Sequence, residues 1–317
     1  SCKMKRKDSK MISPHILKKG DCMGIIAPAR KISREEIQSG IETWKSWDLE
    51  VVFGKNLFNE QNQFSGSDDE RAEDLQRMLD DDSLQAVIAA RGGYGTLRII
   101  DRIDFTKFQK KPKWIIGFSD ITVLHSHFHN LGFETLHAPM LLNFPKNAAA
   151  TESIRKILFG PPKGIDSVFQ RKEKIYYETE NHFLNRNGSA EGILTGGNLS
   201  LLYALSGSKS DIDTRNKILF IEDLDEYLYH IDRMMLNLKR AGKLSHLSAL
   251  IVGGMTEMKD NPIPFGKSAE EIILEAVKDF SYPVCFNFPG GHIEKNLALP
   301  LGRRAKVSVS DNAILEF

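Results

Sequence analysis

As far as Pro139 the chain alternates short apolar runs with stretches whose apolar positions recur every three or four residues. MGIIAPA, LEVVFGK, LQAVIAA, KWIIGFS and ETLHAP are strand-length, whereas SREEIQSGIETWKSW, SDDERAEDLQRMLDD, TLRIIDRI and ITVLHSHFHNLG carry the helical period. Strand and helix in turn predict an α/β fold with a mostly parallel, doubly wound sheet. Ligands of such sheets lie beyond the carboxyl ends of the strands, which here read APAR, ARGGYG and GFSD.

Beyond NFPKNAAATES the rhythm breaks. ILFIED, SALIVGG and PVCFNFP read as strands, NLSLLYALSG, YLYHIDRMMLNLKRAG and AEEIILEAVKDF as helices, and AKVSVSDNAILEF as a hairpin turning at Asp311-Asn312. Two units are expected, residues 1–150 and 151–317, with Ala148, Ala149 and Ala150 in the connecting segment.

Composition narrows the ligand more than the fold. Against 43 Lys and Arg stand 42 Asp and Glu, a formal charge of +1 that offers no field to gather nucleic acid or an anionic membrane. A small or peptidic ligand fits better. Cys2, Cys22 and Cys285 are too few and too far apart for a disulfide framework or a zinc knuckle, and Cys285 in PVCFNF reads as a buried strand residue. No apolar run reaches the roughly 18 residues of a membrane helix. A cytoplasmic protein is expected, with lipid anchoring through Cys2 as the alternative if SCKMKRKDSK opens a processed precursor.

Ser119 stands where the run WIIGF gives way to a helical pattern. A side chain on such a turn is exposed at the sheet rim, and the next amide lies at a helix N-terminus, where negative charge is stabilised. Gly117-Phe118-Ser119-Asp120-Ile121 lacks the second glycine of G-x-S-x-G, so a helix cap competes with a nucleophile. In Arg91-Gly92-Gly93-Tyr94-Gly95, which fits no dinucleotide or phosphate-loop pattern, Gly92 and Gly93 can offer N–H groups to an oxyanion or simply make a turn. His292, on a loop behind two glycines, suits a general base better than His125, His127 and His129, whose spacing lacks the H-E-x-x-H glutamate and a third metal ligand. Glu222 ends the run ILFI and suits an orienting carboxylate, with Asp223, Asp225 and Glu226 as competitors. No metal or cofactor is implied.

GFSD before a helix, ARGGYG ahead of it, GGNLSLL, FIEDLDEYLYHIDRM, FPGGH and LALPLG resemble, in order and over nearly the whole chain, the motifs of the LD-carboxypeptidase family of serine peptidases. The resemblance implies Ser119 as nucleophile, Glu222 as orienting acid and His292 as base, with oxyanion donors near Gly93 and Asp120. It implies a flavodoxin-like amino-terminal half, a carboxyl-terminal half with a small barrel-like sheet, and a homodimer acting on peptidoglycan-recycling peptides in the bacterial cytoplasm. The expected reaction is release of a terminal D-amino acid, D-alanine, from an L,D-linked muropeptide.

Arg91 and Arg30 at the rim are candidates to meet a substrate carboxylate, or ordinary ion-pair formers. Asn198 and Tyr227 are further substrate-binding candidates, with capping and packing as the ordinary explanation. A rival reading is the microcin C self-immunity branch of the same family, which cleaves a peptidyl- or aminoacyl-nucleotide. Trp44, Trp47 and Trp114 all lie in the first half, and the expected recognition stretch Val168–Asn187 offers only Tyr176, Tyr177 and Phe183 for stacking. A non-catalytic small-ligand module is the rival of a different class. Whether Ser119, Glu222 and His292 come within hydrogen-bonding reach separates it from an enzyme.

Overall fold

The computed structural model describes residues 11–144, 146–160 and 174–317, so Cys2 and positions 168–173 of the expected recognition stretch lie outside the described residues. With elements numbered along the chain, the first sheet holds β1 (Cys22–Ile26), β2 (Glu50–Phe53), β3 (Leu84–Ala89), β4 (Trp114–Gly117), β5 (Thr135–His137) and β11 (Leu299–Leu301). Their order is β11-β5-β4-β3-β1-β2, parallel except for β11. The five parallel strands thus run 2-1-3-4-5, the flavodoxin-like order, whose direction reverses between β1 and β3.

Helices cover both faces. Ile37, Ile41 and Trp44 of α1 (Arg34–Ser46) and Ile154, Ile157 and Leu158 of α5 (Ala148–Phe159) fill one core. Leu75, Met78 and Leu79 of α2 (Asp68–Asp80), Phe108 of α3 (Thr106–Lys110) and Val123, Leu124 and Phe128 of α4 (Thr122–Asn130) fill the other. Reciprocal caps Ser33 with Glu36 and Ser67 with Glu70 satisfy the first amides of α1 and α2 and fix where those helices start.

Two expectations are corrected here. Ala148, Ala149 and Ala150 form the first turn of α5, capped by the Asn147 side chain on the Ala150 N–H, because alanine extends a capped helix readily. TLRIIDRI makes two short 3-10 turns, Thr96–Arg98 and Ile100–Arg102, in place of an α-helix. Gly95 at φ +157° and the Thr96 N–H, held by Asp120, fix the start of this segment, and Asp104 ends it by capping Thr106.

The second sheet runs β10 (Val284–Cys285), β9 (Ala249–Thr256), β8 (Lys217–Leu224), β7 (Gly188–Asn198), β12 (Arg304–Val309), β13 (Ala313–Glu316) and β6 (Tyr176–Glu178). β7 to β10 pair in parallel, and β12, β13 and β6 antiparallel, with the expected hairpin turn lying between Val309 and Ala313. All seven strands send residues into one core, among them Tyr177, Leu194, Phe220, Ile251, Cys285, Val307 and Leu315, so the sheet curls around its own interior. Its other face is covered by α6 (Leu199–Ala204), α7 (Leu228–Arg240) and α8 (Ala269–Ala276). No helix among the described residues is long and apolar enough to cross a membrane.

Candidate active site

β4 ends at Gly117 (φ +157°), and the chain then turns so tightly that Ser119 takes a left-handed φ of +61°. A non-glycine residue there is strained, and such strain persists where the surroundings over-determine it. Ser119 opens a 3-10 turn, Ser119–Ile121, that feeds α4, yet its side chain caps no amide. Ser119 Oγ instead lies 3.1 Å from His292 Nε2.

His292 Nδ1 is 2.6 Å from Glu222 Oε2. A carboxylate only accepts, so the Nδ1 proton points to Glu222 and Nε2 is free to accept the Ser119 hydroxyl proton. Glu222 is fully buried and also takes the His292 backbone N–H at 3.2 Å and the Asn198 side-chain amide at 3.2 Å. Three donors compensate an anion withdrawn from water. The β8–β9 register shifts between Ile221 and Asp223, so Glu222 sits where the ladder is irregular and its side chain is re-aimed. Burial alone would push the His292 pKa down, but the Glu222 hydrogen bond and charge, with the Asp223 charge behind them, outweigh it and raise the value.

The loop carrying His292 is pinned at three consecutive points. Asn296 Oδ1 accepts the Gly291 N–H at 2.8 Å, Glu222 takes the His292 N–H, and Thr256 Oγ1 donates to the His292 carbonyl at 2.9 Å. Gly291 has φ +99°, and a Cβ there would fall 2.6 Å from Glu222 Cβ and 2.7 Å from Oε2. Phe118 packs against the imidazole with ring centres 4.9 Å apart. Across the halves, Thr122 Oγ1 at the start of α4 accepts the Asn198 N–H at 2.9 Å.

The loops after β1, β3 and β4 meet at one rim. A Cβ added to Gly92 would lie 3.4 Å from Ser119 Cβ, and the Arg30 N–H donates to the Gly92 carbonyl at 3.3 Å. Among the described residues nothing accepts the Gly93 N–H, and the Asp120 N–H belongs to the first turn, where amides lack intrahelical partners. The buried Asp120 carboxylate accepts the Thr96 N–H at 2.8 Å, which ties the glycine loop to the Ser119 turn.

Other candidates are placed elsewhere. Arg91 turns to the Lys31 carbonyl at 3.2 Å and to Glu36 at 3.7 Å, since α1 sets an acidic first turn beside it. Asn198 does approach the site: it is buried, caps α6 through Leu201, and its side-chain amide bridges Glu222 and Asp223. Tyr227 is exposed at the N-terminus of α7, beside Tyr229. Asp223 points to α6, where it takes the Ser200 N–H at 3.0 Å and Oγ at 2.7 Å; burial raises its pKa to about 6 against those hydrogen bonds. His125 bridges Thr135 and the Gly117 carbonyl, His127 meets Ser210 and His129 meets Thr195. Tyr177, expected in a recognition loop, is a core residue of β6 whose hydroxyl donates to the Ala298 carbonyl. Thr122, Thr256, Asn296 and the Asp120 carboxylate were not singled out from sequence, because their contacts span long separations that no local pattern encodes. A concavity of about 3070 Å³ elsewhere among the described residues is lined by groups such as Glu134, Tyr176, Lys217 and Arg303.

Residues 23–138 match the model of the LD-carboxypeptidase N-terminal domain and residues 191–307 that of the LD-carboxypeptidase C-terminal domain. A probable murein peptide carboxypeptidase of Bacillus subtilis is 36% identical over 96% of this chain and 94% of its own. Among solved structures, muramoyltetrapeptide carboxypeptidase from Oxalobacter formigenes superposes with a TM-score of 0.82 at 27% identity, covering 93% of this chain and 98% of that one. The microcin C7 self-immunity protein in complex with aspartyl sulfamoyl adenosine gives the same TM-score of 0.82 at 22% identity, covering 96% and 97%, a likeness of fold.

Proposed function

The chain belongs to the LD-carboxypeptidase family, and from that premise we propose that it is a serine carboxypeptidase releasing a terminal D-amino acid, D-alanine, from a peptidoglycan-derived peptide. The observation that carries the reading is the hydrogen-bonded chain from Ser119 through His292 to buried Glu222. His292 Nε2 takes the Ser119 hydroxyl proton as Oγ attacks the scissile carbonyl. The negative charge on the tetrahedral oxygen leans on the Gly93 and Asp120 N–H groups, and Glu222 stabilises the imidazolium. As the C–N bond breaks, His292 returns the proton to the departing amine. Water, deprotonated by the same nitrogen, then attacks the acyl-enzyme and regenerates Ser119.

The reading draws on relatives described as murein peptide and muramoyltetrapeptide carboxypeptidases, both more than 25% identical to this chain. Its test is incubation of purified protein with a defined L,D-tetrapeptide and quantitation of free D-alanine by mass spectrometry, with Ser119→Ala as control. Release that requires Ser119 supports it. No release, with hydrolysis of an aminoacyl-nucleotide conjugate instead, would transfer the site to the other substrate class.

A further inference from the structure

We propose that Arg30 reads the free carboxylate of the residue to be removed, an inference that rests on the carboxypeptidase reading above. An enzyme that trims one residue from a chain end must sense the end, and the only group unique to a carboxyl terminus is its charge. A guanidinium fork matches that group in two parallel hydrogen bonds.

Three cationic side chains stand on the two loops that flank the switch point, Arg30 and Lys31 after β1 and Arg91 after β3. Lys31 pairs with Glu60 at 2.8 Å, and Arg91 with Glu36 at 3.7 Å. Arg30 is exposed, and among the described residues no carboxylate lies within ion-pair distance of it. Its backbone is nonetheless well held. The Arg30 N–H donates to the Gly92 carbonyl, and Arg30 bridges to Phe64 in an antiparallel step.

The side chain runs toward Gly93. Its stem lies across Gly93 so closely that a Cβ on that glycine would fall 2.2 Å from Arg30 Cδ and 2.3 Å from Cγ. Gly93 therefore does two things: it leaves its N–H unclaimed, and it gives the arginine stem a flat bed. Gly92, the preceding residue, packs against Ser119, with 3.5 Å from the position of an added Cβ to Ser119 Oγ. A charged group carried on this stem thus stands beside Gly93, the oxyanion donor of the proposed mechanism. The carboxylate of a terminal residue is separated from the scissile nitrogen by one carbon, so a substrate whose carbonyl oxygen points at Gly93 holds its free carboxylate within the sweep of the guanidinium. Arg91, the other arginine on this rim, has its partners already.

The test compares a tetrapeptide ending in D-alanine with the same peptide ending in D-alaninamide. The wild-type protein is expected to prefer the acid by about a hundredfold in kcat/KM, and Arg30→Gln to lower turnover of the acid by about ten- to a hundredfold, collapsing the acid-to-amide ratio toward one. Arg30→Lys keeps charge and stem without the fork and should give an intermediate ratio, while Arg91→Gln should keep the wild-type ratio. The wild-type ratio should also fall with added salt, a measurement that needs no variant. A wild-type ratio retained in Arg30→Gln would overturn the role of Arg30 and leave the carboxypeptidase reading standing. A wild-type protein that cleaves acid and amide equally would overturn the role of Arg30 alone, and one that releases D-alanine from neither would overturn both.

Discussion

The Asp120 carboxylate and the Thr96 backbone N–H meet at 2.8 Å, and through this bond the residue after Ser119 holds the loop that carries Gly93. The Gly93 and Asp120 N–H groups, the oxyanion donors of the proposed mechanism, lie on separate loops and stay aligned only if the loops cannot slide. Asp120→Ala is expected to lower kcat by about tenfold or more with little change in KM, since the lost alignment matters in the transition state. Unfolding free energy should fall by about 1–3 kcal/mol, the cost of a freed buried donor. Steady-state kinetics and urea melts on one preparation measure both, and a loss confined to KM would contradict the role.

Ser119 at φ +61° predicts an unusual pair of variants. Both Ser119→Ala and Ser119→Gly should lose turnover. Glycine relieves the left-handed strain that alanine keeps, so the glycine variant should be more stable than the alanine variant by about 1 kcal/mol. Differential scanning calorimetry decides this, and an alanine variant at least as stable would mean that the turn stores no strain.

The pH dependence follows from His292. Its raised pKa places the neutral, proton-accepting form above pH 6.5, so kcat/KM should climb with pH through an apparent pKa above that value. Glu222→Gln removes the two larger raising causes and leaves burial opposed only by the Asp223 charge, so the apparent pKa should drop while kcat falls by about a hundredfold or more. Asp223→Asn, whose main contacts are to Ser200, should be milder in rate. Linkage runs in the matching sense. A histidine whose folded pKa exceeds its unfolded value contributes stability in full below pH 6.5 and loses it as pH rises through the folded value. A pH series of kcat/KM and of chemical melts, with and without Glu222, would reveal any contradiction in sign.

Gly291→Ala tests the packing behind the base. The new Cβ would sit 2.6 Å from Glu222 Cβ at φ +99°, so either Glu222 or the His292 loop must move. Activity should fall at least about a hundredfold, because a displacement of about 1 Å at the reacting groups costs that much. Gly207→Ala, with a similar positive φ but nothing within 4 Å, should lose stability and keep its rate.

The parallel sheet was legible from sequence because each of its strands is an apolar run bounded by turn residues, and α1 and α2 announce themselves by Ser and Glu three apart. β7 was not legible. In GSAEGILTGGN the glycines mask any strand period, yet Gly196 lies so close to β8 that a Cβ would fall 1.9 Å from the Phe220 carbonyl, a tertiary demand for glycine inside a strand. β11 hid for a similar reason, since Leu299-Pro300-Leu301 places a proline on a short edge strand. At the site, Ser119, Glu222 and His292 stand at strand ends or behind paired glycines, positions that pattern can find. The supports, Asn296 on Gly291 and Thr256 on His292, are ordinary polar residues in ordinary loops, and only the folded arrangement gives them work.

β11 is made of residues from the far end of the chain, yet it forms the edge of the first sheet beside β5. The ribosome therefore finishes Ser119 and its turn long before the strand that completes their sheet. The base arrives late as well, since 173 positions separate His292 from Ser119. At about 5–20 residues per second that interval lasts on the order of ten to thirty seconds. Throughout it the nascent chain carries Ser119 without the imidazole that faces it in the folded protein.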